Sequence, residues 1–165
     1  MKPKAVIDSS PLINLIHLGL ASKLSAYFDV VYVPREVHKE VSRKRTSRRV
    51  LEKLYGGSPF EKCDVGNQDN VRLLLVDIDA GEAEALTQAQ ELGASVFIGD
   101  ERRARRIGQI MGIRPIGTAK ILARMNLEAL AEEPKRLIRK LRTDLAYRIA
   151  DDLIDEALAN ASEPI

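Results

Sequence analysis

The chain predicts an α/β domain built on a parallel sheet, with a helical extension at its C-terminal end. Three observations point there. Short apolar runs alternate with helix-period segments along residues 4 to about 126. Turn and cap residues separate these segments at short intervals. From Leu127 onward the pattern is helical only. The boundaries read as a core over residues 1–126 and an extension over 127–165, packed on the same domain or on a partner.

Lys4 to Asp8 reads as a short buried strand. Ser9-Ser10-Pro11 reads as a helix start, a hydroxyl cap followed by proline at an early helical position. Leu12, Leu15, Ile16 and Leu18 recur at helical spacing until Gly19, and a second short helix is expected over Ala21 to Phe28. Val30 to Val33 is β-branched and reads as a strand, after which Pro34 opens a helix to about Arg43. Lys44 to Leu54 reads as a strongly basic helix. Residues 56–70 are rich in turn formers and read as irregular, with a strand fragment near Phe60.

Arg72 to Val76 is expected to be another strand. Asp79-Ala80-Gly81 leads into a helix from Glu82 to Leu92, closed by Gly93. Ser95 to Gly99 reads as a strand, Glu101 to Met111 as a helix, Arg114 to Ile116 as a short strand, and Thr118 as the cap of a further helix. In the extension, Leu137, Ile138 and Leu141 form one apolar stripe, and residues from Ala146 to Leu158 form a longer one.

Composition narrows the function classes. At 165 residues the chain can bury a real core, and its net charge of +2 makes it no bulk attractor of polyanions. Its one cysteine, Cys63, cannot form an internal disulfide. No apolar run approaches the roughly 20 residues that span a membrane, and no signal segment precedes the first strand, so a cytoplasmic setting with no membrane partner is expected. Aromatic residues are only 4% of the chain, too few for a surface built on stacked bases. His17 and His38 lie in no zinc-ligand pattern and read as helix-surface residues.

The acidic residues carry the functional signal. Asp8 and Asp100 end apolar runs directly before helix starts, where an open α/β sheet binds ligands. Either could instead be a plain N-cap. Glu82 lies within about 40° of Leu86 and about 20° of Ala89 on a helical wheel, at the head of the core-facing stripe. The alternative for Glu82 is a first-turn complement to the helix dipole. Glu84 falls about 200° away from Glu82 and is expected to be solvated. Glu40 lies about 60° from Val37, with Glu36 a rival on the same side. Carboxylates from four elements converging on one point repel one another unless a cation lies between them. Asp8, Glu40, Glu82 and Asp100 are therefore candidate ligands and catalytic residues for a hard divalent cation, Mg²⁺ or Mn²⁺.

Three basic clusters accompany them. Arg102, Arg103 and Arg106 begin two residues after Asp100 and are candidates for holding phosphates. Arg45 and Arg48 stand in the cluster over residues 43–49, and a third cluster covers Lys135 to Arg142. Each has the plain alternative of a solvated helix face.

The segments VIDSSPLINLIHLGL, VYVPREVHKEV, DIDAGEAEALTQAQELGASVFIGDERRARRIGQIMGIRPIGTAKIL and YRIADDLIDEAL together resemble a PIN-domain subfamily of predicted nucleic-acid-binding proteins related to VapC-type toxins. The likeness spans nearly the whole chain outside residues 43–70. It implies a three-layer α/β/α fold with a central, mostly parallel sheet. It also implies a nuclease that cuts RNA with Mg²⁺ or Mn²⁺ held by three or four clustered acids. By position these are Asp8, Glu40 (which settles the rivalry with Glu36), Glu82 and Asp100, with Ser10 and Asn14 as the polar residues flanking the first. The third acid is glutamate where such toxins often carry aspartate, and Gly99 stands where threonine is common. The resemblance also implies an antitoxin partner, and the long apolar stripe of the tail predicts a homodimer interface or an antitoxin-like docking segment, or else packing on its own domain. A non-catalytic RNA-binding module is the alternative. An aspartyl phosphatase is disfavoured, because Ser9-Ser10 follows Asp8 with no second aspartate two residues on.

Overall fold

A computed structural model describes residues 1–57 and 59–165. Ser58, within the stretch expected to be irregular, lies outside the described residues. The chain divides into two compact units, Met1–Ile116 and Gly117–Ile165.

The first unit is a three-layer α/β/α arrangement around a five-stranded sheet with order β3-β2-β1-β4-β5. The strands are β1 (Lys4–Ile7), β2 (Val30–Pro34), β3 (Phe60–Cys63), β4 (Val96–Ile98) and β5 (Arg114–Ile116). All four pairings are parallel, with Val6 in register with Tyr32 on one side and Phe97 on the other. Parallel strands covered on both faces read as unbroken apolar runs, and Ala5, Val6, Ile7, Val96, Phe97 and Ile98 are all fully buried. The chain winds outward from β1 to β3, then returns to β4 and β5 on the other flank. The β1–β4 boundary is therefore the topological switch point, where such sheets open a crevice at the carboxyl ends of their strands.

Helix α1 (Ser9–His17) begins one residue after Asp8, and its N-cap is Asp8 rather than a serine hydroxyl. A short 3-10 helix over Ala21–Ala26 replaces the longer helix expected to Phe28. Helices α2 (Arg35–Ser42) and α3 (Arg45–Tyr55) follow β2, and His38 stacks on Tyr55 and bonds its hydroxyl at 2.9 Å.

Residues 72–76 are not a strand. They lie at the end of helix α4 (Gln68–Leu74), whose N-cap Asn67 accepts a bond from the Asn70 N–H at 3.1 Å. The apolar run Leu73-Leu74-Leu75-Val76 suggests burial, but Leu73 and Val76 are 72% and 82% exposed, and the helix faces the core with Val71 and the partly buried Leu74.

Helix α5 (Ala80–Leu92) packs on β1, β2 and β4 and also against α2 and α4. Because it is covered on several sides, every residue from Gly81 to Ala89 is buried. Gly93, at φ 63°, ends it in the left-handed conformation that suits glycine. Helix α6 (Arg102–Ile110) joins β4 to β5.

The second unit comprises α7 (Thr118–Leu127), α8 (Pro134–Leu145) and α9 (Asp151–Ala159). Thr118 is the first helical residue of α7, with Gly117 as the cap. Leu137, Ile138 and Leu141 are buried as the stripe requires. The stripe from Ala146 to Leu158 is not one helix. Ala146 turns left-handed at φ 53°, and the Arg142 guanidinium donates to the Ile149 carbonyl and to Asp151 Oδ1, each at 2.7 Å, clasping the link shut. Among the described residues no helix is long and apolar enough to cross a membrane.

Candidate functional site

Asp8 leaves the carboxyl end of β1 at the switch point, and its N–H donates to the Ile98 carbonyl of β4 at 2.9 Å. This keeps its backbone in the sheet while its side chain leaves the last pleat. That side chain is 5% exposed, and Asp8 Oδ1 has no hydrogen-bond partner among the described residues. Burial pushes the Asp8 carboxyl well above the usual carboxylate range. The Ser9 N–H opposes that shift, and the charges of Glu82, Asp79 and Glu40 add to it.

Gly81 shows how closely the acids approach one another. A methyl group built on its Cα would lie 3.2 Å from Glu40 Oε1, 3.3 Å from Asp8 Oδ1 and 3.5 Å from Asp79 Oδ1. Three carboxylate oxygens from the β1–α1 junction, helix α2 and the start of α5 thus face one small space. Only a residue without a side chain leaves that space open.

Glu82 sits in the first turn of α5 and is 4% exposed. It forms a capping box with Asp79. The Asp79 side chain accepts from the Glu82 N–H at 2.9 Å, and Glu82 Oε2 accepts from the Asp79 N–H at 3.2 Å. The helix-start role and the place in the acidic cluster therefore coexist. Desolvation raises the Glu82 carboxyl to about 7, with the Asp79 charge adding to it, the Asp79 N–H opposing it, and Glu101 and Glu40 contributing further.

Asp100 follows β4 and Gly99 on the other side of the switch point, and Asn14 Nδ2 of α1 donates to its Oδ2 at 3.5 Å. The structure thus gathers Asp8, Glu40 and Glu82 into one charge-coupled group, and Asp100 is tied to α1 through Asn14. Asn14 is buried beside the first acid, whereas Ser10 is exposed. Gly99 has a steric reason. A side chain there would begin 2.3 Å from Phe97 Cε1 and 2.4 Å from Phe97 Cζ, a clash with the edge of the aromatic ring.

Two acids join the cluster that periodicity did not select. Asp79 was legible as the first residue of a D-x-x-E capping pattern, and Glu101 had no signal beyond its place after Asp100. Glu84, expected to be solvated, is buried and accepts a bond from the Glu36 N–H at 2.8 Å. The helical wheel assumes one buried face, and α5 has several. Glu36 itself pairs with Lys39, not with the cluster.

The arginines are placed as follows. Arg102, Arg103 and Arg106 are exposed on α6, and Arg103 donates to the Asp77 carbonyl at 3.3 Å while facing Asp77 Oδ1 at 3.7 Å. Arg103 also borders an open cleft of about 480 Å³ shared with Asp79, Glu82 and Glu101. Arg45 and Arg48 are exposed on α3, and Arg48 lies 3.8 Å from Glu52.

A cation fits the chemistry of this pocket. Its donors are hard carboxylate oxygens, Asp8 Oδ1 is buried and unpartnered, and among the described residues none of Asp8, Glu40, Asp79 or Glu82 has a cationic partner. In the conformation seen, the oxygens stand apart. Among the described residues no three Asp, Glu, His or Cys side chains are arranged to hold one ion.

A parallel α/β domain with an acidic pocket at its switch point defines a class in which chemistry is done at strand ends. A sequence-family profile described as a PIN domain matches residues 4–163. The chain belongs to the PIN-domain family, whose members are in general nucleases. No curated protein matches the chain.

Proposed function

We propose that the protein is a metal-dependent endoribonuclease. The observation that supports this best is the meeting of three carboxylate oxygens within 3.5 Å of one point beside Gly81, one of them the buried, unpartnered Asp8 Oδ1. Asp8, Glu40 and Glu82 would hold Mg²⁺ or Mn²⁺, with Asp79 as an added ligand and Asp100 closing the far side. A divalent cation, when bound, supplies an acidified water and stabilises charge on the phosphoryl oxygens. The protein's own task is to orient. Arg102 and Arg106 lie on the helix that begins just beyond Asp100, where they can hold phosphates flanking the scissile bond. Arg103 is engaged by Asp77, and Arg45 and Arg48 would contact RNA further out. In the hydrolysis the water oxygen bonds to phosphorus, the bond to the 3′ oxygen breaks, and that oxygen takes the proton. The products are a 5′-phosphate and a 3′-hydroxyl.

One observation favours a second reading, an RNA-binding module without turnover. The carboxylates are not drawn in far enough to hold an ion as they stand. Incubating labelled RNA with the purified protein in Mn²⁺, and again in EDTA, separates the two. The nuclease reading expects cleavage in Mn²⁺ only, and none from a folded Asp8→Asn variant. Salt-sensitive RNA binding without degradation would establish the module instead. A toxin role with an antitoxin partner, a homodimer and a cytoplasmic location belong to the same proposal. Light scattering of the full chain tests the dimer.

A further inference from the structure

Helix α2 carries Glu40, yet nothing within α2 caps its start. Its N-cap is Pro34, which has no side-chain acceptor, so the first N–H groups of the helix need partners from elsewhere. Glu84 supplies one. It reaches from α5 and accepts the Glu36 N–H at 2.8 Å, and its side chain is 8% exposed. A carboxylate there also complements the positive end of the helix. Glu84 stands two residues beyond Glu82 on α5, and Glu40 stands one turn beyond Glu36 on α2. The bond therefore fastens together the two helices whose acids face each other across Gly81.

We infer that Glu84 is a positioning residue of the acidic pocket: it ligates nothing, and it holds α2 where Glu40 Oε1 meets Asp8 and Asp79 beside Gly81. The inference deepens the nuclease reading and rests on it for its purpose, though not for its geometry. A buried ion-dipole contact at a helix start has low tolerance. Its loss leaves the Glu36 N–H unpaired in a half-buried place and frees the helix to shift.

Glu84→Ala and Glu84→Gln in the full chain provide the test, with Asn67→Ala as a comparison that weakens α4 away from the pocket. In metal-free protein, Glu84→Ala is expected to speed hydrogen exchange of the Glu36 amide about tenfold or more. Glu84→Gln, which keeps an oxygen acceptor, should restore parental exchange. In Mn²⁺ titrations Glu84→Ala should bind about tenfold more weakly, while Glu84→Gln and Asn67→Ala bind within about threefold of the parent. A folded Glu84→Ala protein with parental Glu36 exchange overturns the inference. So does one that binds Mn²⁺ as the parent does. If the parent itself binds no Mn²⁺, the nuclease reading falls, and the metal-free measurements still decide the role of Glu84.

Discussion

Replacing Gly81 with alanine should separate stability from metal binding. The added methyl would sit 3.2 Å from Glu40 Oε1 and 3.3 Å from Asp8 Oδ1. Comfortable carbon contacts begin near about 3.5 Å, so each oxygen must retreat by about 0.3 Å. Glu40 is half-buried on a long side chain and can give way. Asp8 is enclosed and yields less easily. Against this small strain, alanine in the first turn of α5 gains about 1 kcal/mol over glycine in helix propensity. The net effect on stability is therefore near zero or favourable, a rise of up to about 3 °C in melting temperature for a chain of this size. The effect on an ion has the opposite sign. Ligand distances tolerate about 0.2 Å, and the methyl occupies the space the carboxylates share. Mn²⁺ affinity, measured by calorimetry, should fall tenfold or more while melting holds or rises. A Gly81→Ala protein that binds Mn²⁺ as tightly as the parent would refute the location of the site.

Three further outcomes can be checked directly. Glu82 and Asp8 have folded-state values above those of a free carboxyl, so ionising them burdens the folded state alone. That part of the stability is complete below the unfolded carboxyl range and is lost as pH rises to about 7, so melting in EDTA should fall between about pH 5 and about pH 7 and recover with Mn²⁺. A melting temperature flat over that range, or parental behaviour from Glu82→Gln, would contradict this. Gln88 is fully buried with neither side-chain nitrogen nor oxygen partnered among the described residues. Gln88→Met should therefore stabilise by about 1 kcal/mol in urea unfolding, and a loss would show that the amide is satisfied in solution. Asn67→Ala removes the α4 cap and should cost about 1 kcal/mol with RNA cleavage unchanged, which thermal melts and the cleavage assay read together.

The sheet was legible because parallel strands demand short unbroken apolar runs, and β1, β2 and β4 each have one, whereas β5 (Arg114-Pro115-Ile116) was marked by its place after Gly112. The third strand was readable only as a fragment near Phe60, since Glu61 and Lys62 on it are exposed and break the run. Leu73 to Val76 misled for the converse reason: a run of apolar letters carries no mark of whether anything will cover it. In the pocket, Asp8 and Asp100 stood out because strand ends at a switch point are defined by order alone. Glu84 could not be found this way. Its burial depends on α2 packing across α5, a contact between segments 48 residues apart that helical periodicity does not encode.

The ring of Phe97 lies where any side chain at position 99 would have to begin. The two positions are thereby bound into one mutational unit with a fixed order of change. A hydroxyl-bearing residue can enter beside Asp100 only after the aromatic has been cut back. Truncating a fully buried phenylalanine to alanine costs about 3–5 kcal/mol until something refills the hole. A substitution path that puts a side chain at position 99 therefore has to cross that unstable intermediate.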